Sequence, residues 1–293
     1  MTGAECTVLT FNIYHNLPEH RHLDRRLELI AQGIAERRPH VAALQELLRA
    51  SACGDLGARL RDRVNQLCGR DLYRLDYCPA DGAGDGEFAF DEGVGMLSRL
   101  DADGAPAAYK YRAQVDLSAM VGGQLYRLPD DRVVLHRRFR FDGGARMEVF
   151  VTHLTDRPES RDGVVVRSAQ ARELVQLVAS HSHPEATVIV AGDFNDVPES
   201  ETMAALLGGK GFIDLHGAFG SGCGYTNDRD DLDLTAEHGT HNQRIDYLLM
   251  RPGRGRTPEV VEVGLFADRP HRQPDGTWLW PSDHVGVIAT LRL

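Results

Sequence analysis

Short apolar runs alternate along the chain with longer amphipathic stretches. The short runs are rich in β-branched residues and are bounded by polar or turn-forming residues, which is typical of strands buried in a sheet. They predict strands over Thr7–Ile13, Val41–Leu44, Val94–Ser98, Val133–Phe141, Met147–Leu154, Thr187–Ala191, Ile245–Met250 and Val285–Leu293.

The amphipathic stretches predict helices. The first, Leu23–Arg38, ends before Pro39, which cannot continue a helix. The longest covers Val164–His181. Between these two, apolar residues spaced three or four positions apart predict a further helix marked by Leu56, Leu60, Val64 and Leu67.

The order of these elements predicts an α+β fold in which two sheets pack on each other and helices cover the outside. No linker rich in Pro, Gly or Ser is long enough to divide the chain, so we expect a single domain over residues 1–293. Two polar segments, Ala80–Asp91 and Gly217–Asn242, carry no clear pattern. Long loops in compact domains are usually functional or disordered.

The charge balance narrows the possible partners. The chain has 33 Lys+Arg against 43 Asp+Glu, a formal net charge of −10. This disfavours a protein that coats nucleic acid or an anionic membrane by bulk charge. No run of roughly 18 apolar residues exists to span a membrane, and the N-terminus lacks the pattern of a signal peptide. The five cysteines show no CxxC spacing. We therefore expect a cytoplasmic protein with reduced thiols.

Polar residues recur at the ends of the predicted strands. They are Asn12, Glu46, Glu92, His153, Asp193, Asn195, Asp246, Asp283 and His284. One such residue would be ordinary, but several carboxylates at one sheet edge repel one another unless a cation neutralises them. Carboxylate and amide oxygens are the ligands that Mg²⁺ or Mn²⁺ prefers. Glu46, Asp193, Asp283, Asn12 and Asn195 supply such a set.

Seven motifs stand in a fixed order along the chain: FN (11–12), LQE (44–46), GVGMLSR (93–99), THL (152–154), GDFN (192–195), RIDY (244–247) and SDH (282–284). This series resembles the endonuclease/exonuclease/phosphatase superfamily, and most closely its branches similar to DNase I and neutral sphingomyelinase. The resemblance implies a four-layer αββα sandwich with its active site at one edge of the paired sheets. It also implies a divalent-metal-dependent phosphoesterase.

The resemblance assigns roles to individual residues. Glu46 is implied as the principal metal ligand, assisted by Asn12 and Asp283. Asp193 and Asn195 match the pair that orients the nucleophile or holds a second metal and the phosphate. Asp246 matches the carboxylate that supports His284.

His153 matches a second active-site histidine, and Glu92 falls where its carboxylate partner is expected. A carboxylate fixes the tautomer of an imidazole and raises its pKa, so two such pairs suit proton transfer near neutral pH. The pattern does not decide which histidine activates water and which serves the leaving group. Other assignments also stay open, since Arg244 could contact phosphate or form a salt bridge. His15, His20 and His22 match no zinc motif and are expected to be exposed.

The substrate is the least defined feature, because this fold serves many phosphoesters. The acidic charge and the lack of a long basic run favour a small phosphomonoester or phosphodiester over nucleic acid. A nuclease acting on DNA or RNA is the alternative. Two further hypotheses are a non-catalytic binding module and an enzyme adapted to a specialised metabolite. The sequence does not define the oligomeric state.

Overall fold

The computed structural model describes residues 3–16, 19–83, 90–116, 119–121, 124–126, 129–157, 160–161, 164–209, 211–228 and 232–293. Residues 84–89 of the unpatterned segment Ala80–Asp91 and residues 229–231 of Gly217–Asn242 lie outside this part of the chain. The helices are α1 (Leu23–Arg37), α2 (Leu56–Cys68), α3 (Val166–His181), α4 (Glu201–Leu207) and α5 (Leu215–Phe219), with a 3₁₀ turn at Asp142–Gly144.

The strands follow one another between these helices. In chain order they are β1 (Glu5–Asn12), β2 (Val41–Ala50), β3 (Gly54–Asp55), β4 (Arg74–Ala83), β5 (Phe90–Ser98), β6 (Ala107–Lys110), β7 (Val115–Asp116), β8 (Ala119–Val121), β9 (Gln124–Tyr126), β10 (Pro129–Asp130), β11 (Val133–Arg140), β12 (Arg146–His153), β13 (Ser160–Arg161), β14 (Val164–Val165), β15 (Thr187–Asp193), β16 (Ile213–Asp214), β17 (Asp246–Arg251), β18 (Glu259–Phe266), β19 (His271–Arg272), β20 (Trp278–Leu279) and β21 (Gly286–Arg292).

Two large mixed sheets contain the long strands. The first has the order β18-β21-β1-β2-β5-β4, with β3 paired to β2. The second has the order β16-β17-β15-β12-β11-β6. Each sheet has one parallel pair at its centre, β1 with β2 and β12 with β15, and antiparallel strands outside it. Because the strands of each parallel pair run in the same direction, their C-terminal ends lie at the same edge of the sheet.

The four layers follow from the alternation of side chains along the strands. In β1, Val8 belongs to the core between the sheets, whereas Leu9 and Phe11 pack with α1 and α2. In β12, Val149 and Val151 face the same central core, while Phe150 packs with α3 and α4. Successive strand residues point to opposite faces, so each sheet buries both sides. The α+β prediction and the αββα sandwich are confirmed.

The predicted elements were found, but two long strands were missed. β4 contains Pro79 together with polar residues, and β18 alternates only weakly between exposed and half-buried positions. Both lie at the edges of the first sheet, where strands tolerate proline and polar residues on the open side. Their sequences therefore lack the apolar runs that identified the central strands.

Candidate active site

The alternation of side chains explains how distant residues reach one edge. Asn12 continues the Val8 face of β1, and His153 continues the Val149–Val151 face of β12. Asp193 and Asp246 lie on the corresponding faces of β15 and β17, beside Ala191 and Leu248 of the central core. Three of these polar residues thus end their strands, and Asp246 begins the antiparallel strand β17. They close one end of the apolar core between the sheets.

Strand register places Asp193 at the centre of this group. In the second sheet its direct partners are His153 on one side and Asp246 on the other. Its Oδ2 lies 3.5 Å from His153 Nε2 and 3.7 Å from His284 Nε2. The same oxygen accepts a hydrogen bond of 3.1 Å from Asn12 Nδ2, which comes from the first sheet. Asp193 therefore lies close to both His153 and His284, and its hydrogen bond with Asn12 links the second sheet to the first.

Asp246 and His284 form the predicted carboxylate–imidazole pair. His284 Nδ1 lies 2.9 Å from Asp246 Oδ2, and both side chains are buried. The His284 backbone N–H donates to Ser282 Oγ, which fixes the short segment before β21. Asn227 Nδ2 lies 3.1 Å from His284 Nε2. Asp246 thus holds the imidazole at Nδ1, and Nε2 lies close to both the Asn227 amide and Asp193 Oδ2.

Glu46 reaches the site through a backbone irregularity. Its φ of 57° is in the left-handed region, and the pairing of β2 with β5 shifts register between Leu44 and Leu47. Such a bulge re-aims one side chain without ending the strand, which also explains why β2 continues past its predicted end. Glu46 Oε1 accepts from Asn12 Nδ2 at 3.0 Å. Asn12 Oδ1 accepts from the Tyr14 backbone N–H, and this orients the Nδ2 donor of Asn12 toward the carboxylates of Glu46 and Asp193.

The described hydrogen bonds and ion pairs do not join Glu92 to His153, although both residues line the same small pocket. Glu92 Oε2 lies 2.9 Å from His15 Nε2, because the chain after β1 turns back over the site. His15, expected to be exposed, is also 3.8 Å from Glu46 and donates its backbone N–H to that carboxylate. His153 Nε2 lies 3.0 Å from Asn195 Nδ2. The described side-chain contacts of His153 Nε2 are therefore with Asn195 and Asp193.

Arg244 does not point to the acidic group. Its guanidinium is buried, pairs with Asp214 at 2.5 Å and stacks over Tyr247 at 4.8 Å. The ion-pair alternative accounts for it, although the pair is buried and not at the surface. The prediction that Arg244 contacts phosphate has no support in this arrangement.

Burial gives the site unusual proton affinities. Burial and the nearby Asp246 charge raise the pKa of Asp193 to about 7. Burial raises the pKa of Asp283 to about 6, and the Glu46 charge adds to this effect. Burial alone would lower the pKa of His284, but the charges of Asp246, Asp283 and Asp193 outweigh it and hold this pKa well above its ordinary value.

His153 differs from His284. Burial lowers its pKa well below the ordinary value, and the positive charges of Arg132 and His284 add to the shift. The two imidazoles flank one carboxylate but prefer different protonation states. Their environments therefore separate a neutral histidine from a cationic one.

The donor set fits a divalent cation. Asp193, Asp246 and His284 each offer one atom within 4.8 Å of the others. Glu46 and Asp283 add further carboxylates in electrostatic contact with each other. The raised pKa values of Asp193 and Asp283 reflect excess negative charge that a cation would offset. Oxygen donors of this kind suit Mg²⁺ or Mn²⁺.

Sequence reasoning missed His15, Asn227, Arg132 and Arg26. Arg26 is fully buried and donates to the carbonyls of Ile13, Tyr14 and Pro281, which joins the loop after β1 to the SDH segment. Its position on the apolar face of α1, next to Leu23, Leu27 and Ile30, was a detectable signal. Asn227 and His15 lie in loops without periodicity, so no comparable signal existed for them.

Comparison with known proteins identifies a family to which the sequence is similar. The model of the Endonuclease/Exonuclease/phosphatase family matches residues 9–284. No curated protein matches the chain. Among solved structures, an endonuclease/exonuclease/phosphatase family protein from Leptotrichia buccalis is similar, with 17% identity, a TM-score of 0.65 and coverage of 98% of this chain and 100% of that one.

Two further solved structures carry more specific names. D. rerio TDP2 complexed with a single-strand DNA product has 20% identity, a TM-score of 0.66 and coverage of 99% of this chain and 100% of that one. The mannosyl-6-phosphatase Bt3783 of Bacteroides thetaiotaomicron has 16% identity, a TM-score of 0.67 and coverage of 98% and 100%. At these identities the similarity shows the fold. In the described part of the chain, no helix is both long and apolar enough to cross a bilayer.

Proposed function

The chain belongs to the endonuclease/exonuclease/phosphatase family, and we propose that it is a divalent-metal-dependent phosphoesterase. The observation that carries this proposal is the position of Asp193. This buried carboxylate lies between His153 and His284 and is joined through Asn12 to Glu46 of the other sheet. Carboxylates for a cation and imidazoles for proton transfer meet at one edge, as phosphoester hydrolysis requires.

Glu46, Asp283 and Asp193 are the residues we assign to metal binding, with Asn12 orienting two of these carboxylates. When bound, a divalent cation would neutralise phosphoryl oxygens and lower the pKa of coordinated water. The raised pKa values of Asp193 and Asp283 support this assignment, because a nearby positive charge favours the ionised carboxylate. Asp246 instead remains engaged with His284 at 2.9 Å.

The protein's own groups divide the remaining work. Asp193 orients the attacking water from its central position, and Asp246 holds His284 in one tautomer. The elevated pKa of His284 favours an imidazolium that contacts the phosphoryl oxygens or protonates the leaving oxygen. His153, whose pKa is low, accepts a hydrogen bond at Nε2 from the Asn195 amide in its neutral form and binds beside the phosphate. The sequence leaves open which histidine serves the leaving group. These environments favour His284 for that role.

We propose a small phosphomonoester or phosphodiester as the substrate. The net charge of −10 gives no bulk attraction for a polyanion. Among the structural neighbours, one is named as a mannosyl-6-phosphatase and another is bound to single-strand DNA, so the fold accommodates both classes. Hydrolysis of DNA or RNA is therefore the alternative outcome of the same test.

The test is a substrate panel with the purified protein. Nucleotides, sugar phosphates, inositol phosphates, sphingomyelin, RNA and supercoiled plasmid are each incubated with Mg²⁺, Mn²⁺, Ca²⁺ or EDTA. We expect hydrolysis of a small phosphoester with Mg²⁺ or Mn²⁺, and its loss with EDTA. Glu46→Gln should abolish the metal-dependent activity. Glu28→Gln is the matched control, because Glu28 lies on α1 and pairs with Arg63.

Activity that survives both EDTA and Glu46→Gln would remove the metal mechanism. Plasmid nicking at enzyme concentrations too low to hydrolyse small phosphoesters would reverse the order of the two substrate classes. Equal loss of activity in Glu28→Gln would show that the Glu46 effect is not specific to the site.

A further inference from the structure

A second polar cavity lies at the opposite end of the second sheet from the candidate active site. It has a volume of about 400 Å³ and is formed by the end of β11, the start of β12, the last turn of α3 and Asp103. The eight residues of β12 separate it from the active site, since Arg146 begins the strand and His153 ends it. At about 3.3 Å per residue, this separation is roughly 23 Å.

Arginines outnumber carboxylates around the cavity when Arg140, the ion-pair partner of Asp103, is counted. Arg138 and Arg146 line it together with His181 and His183, whereas its carboxylates are Asp103 and Glu148. Both carboxylates are already occupied. Asp103 pairs with Arg140 at 2.8 Å. Glu148 lies 2.8 Å from His136 Nε2 and 3.7 Å from Arg138 Nε, and it accepts from the His183 backbone N–H at 2.9 Å.

Two arginines oppose each other across the hairpin of β11 and β12. The strand register pairs Arg140 directly with Arg146. Like charges in directly opposed positions destabilise a sheet. Asp103 compensates Arg140, but the side chain of Arg146 makes no hydrogen bond or ion pair with any described side chain. This half-buried guanidinium lines the cavity and has no ion-pair partner among the described side chains.

The surrounding groups are fixed as donors. Arg138 Nη2 donates to the His181 carbonyl at 3.2 Å, which holds this guanidinium over the end of α3. His183 Nδ1 accepts from the Glu185 backbone N–H, so the neutral ring carries its hydrogen on Nε2. Glu148 is buried beside these groups and accepts the His183 backbone N–H, which holds the segment after α3 in place. The cavity thus offers guanidinium groups and the Nε2–H of His183, whereas the Nδ1–H of His181 is already donated to the Leu177 carbonyl. No carboxylate among its described residues is free of a partner.

We propose that this cavity binds the phosphate dianion of a small molecule, at a site separate from the candidate active site. Guanidinium groups match phosphate in geometry and charge. A volume of about 400 Å³ lies in the range of small-molecule pockets and exceeds the space that a bare anion fills. The phosphate could come from inorganic phosphate released by hydrolysis or from a phosphorylated organic compound, and the two sources share this recognition chemistry.

Calorimetric titration in EDTA tests the proposal. Inorganic phosphate and glycerol phosphate are titrated separately into the wild-type protein, where the metal-free active site has too many carboxylates to attract them. We expect binding that Arg146→Gln weakens about tenfold or more, as the loss of a charged hydrogen bond predicts. Arg74→Gln is the matched control, because Arg74 is 77% exposed and lies 3.7 Å from Asp101. His153→Ala should also retain binding.

Phosphate should raise the Tm of the wild-type protein but not that of Arg146→Gln. Tighter binding of glycerol phosphate would assign the cavity to organic phosphates, and tighter binding of inorganic phosphate would assign it to the product. Absence of binding to the wild-type protein would overturn the proposal. Unchanged binding in a folded Arg146→Gln protein, or equal weakening in Arg74→Gln or His153→Ala, would overturn it as well.

Discussion

Asp193 lies next to several of the candidate active-site residues. Its two direct strand partners are His153 and Asp246, and a third strand contributes Asn12. The carboxylate is buried, and its pKa is raised to about 7. Its Oδ2 atom lies within 4 Å of the Nε2 atoms of both His153 and His284. The adjacent imidazoles are therefore the residues on which turnover should depend most directly.

We predict that His153→Ala and His284→Ala each lower kcat by about 10²–10⁴-fold, the usual effect of removing a general acid–base group. Both imidazoles lie within 4 Å of Asp193, so each substitution removes a group from the reacting centre. Steady-state kinetics on the best substrate of the panel measure the effect. His271→Ala, at an exposed position in β19, is the control.

Near-UV circular dichroism of each variant separates a catalytic effect from unfolding. Turnover close to that of the wild type in both folded variants would contradict the assignment of these histidines.

The sequence predicted most of these residues, but fewer of their contacts. Each motif residue that ends a central strand, such as His153 or Asp193, lies at the predicted edge, because strand order and alternation determine its position. Contacts made by loops were not predictable. His15 follows β1 in an irregular segment, and only the folded chain shows that Glu92 contacts this histidine and not His153.

The strands position these side chains through close backbone packing. At Gly192, a Cβ atom would lie 2.1 Å from the Thr152 carbonyl oxygen of the neighbouring parallel strand. This position directly precedes the register pair of His153 and Asp193. The absence of a side chain at Gly192 therefore lets β12 and β15 approach closely at the site.

We predict that Gly192→Ala lowers both stability and activity, because one of the two strands must move. Overpacking of this kind typically costs about 1–3 kcal/mol in the free energy of unfolding. Urea unfolding and kcat measure the two effects. Gly264→Ala in edge strand β18 is the matched control, since a Cβ there would meet no atom within 4 Å. Equal effects of the two substitutions would show that close packing at Gly192 is not the cause.

Glu148 connects three elements at the other end of the second sheet. It belongs to β12, contacts His136 of β11 and accepts from the backbone after α3. Burial alone would raise its pKa, but the hydrogen bond from His136 and the other donors hold this pKa below its ordinary value. A carboxyl group with a lowered pKa in the folded state stabilises the protein above its unfolded-state pKa. That contribution is lost as the pH falls through the folded-state pKa.

Glu148→Gln should therefore destabilise the protein at pH 7 by about 1–3 kcal/mol. The difference from the wild type should shrink as the pH falls through the lowered folded-state pKa of Glu148, below which the wild-type carboxyl is also protonated. Urea unfolding across this pH range provides the measurement. Glu259→Gln, which removes a mostly exposed partner of Arg292, should show only a small difference. A Glu148→Gln effect that does not depend on pH would contradict the electrostatic explanation.

The whole molecule determines the site, because neither sheet contains it. Glu46 and Asn12 come from the first sheet and Asp193 from the second, and Asn12 donates to a carboxylate on each side. The layered fold was predictable from alternating apolar runs, whereas the edge strands β4 and β18 were not, because exposure on one side removes the pattern. The site arises where the central strands of both sheets end together.

Because the carboxylates are brought together only by folding, a divalent cation should stabilise the folded state. We predict that Mg²⁺ or Mn²⁺ raises the Tm and that EDTA reverses the increase. A cation at about 100 times its Kd would add about 2.7 kcal/mol to the free energy of unfolding. Thermal unfolding in Mg²⁺ and in NaCl of equal ionic strength separates site binding from screening of the net charge of −10. Glu46→Gln should lose most of the increase, whereas Glu28→Gln should keep it. An equal increase in NaCl, or a full increase in Glu46→Gln, would mean that the cation acts on the overall charge and not at the junction of the two sheets.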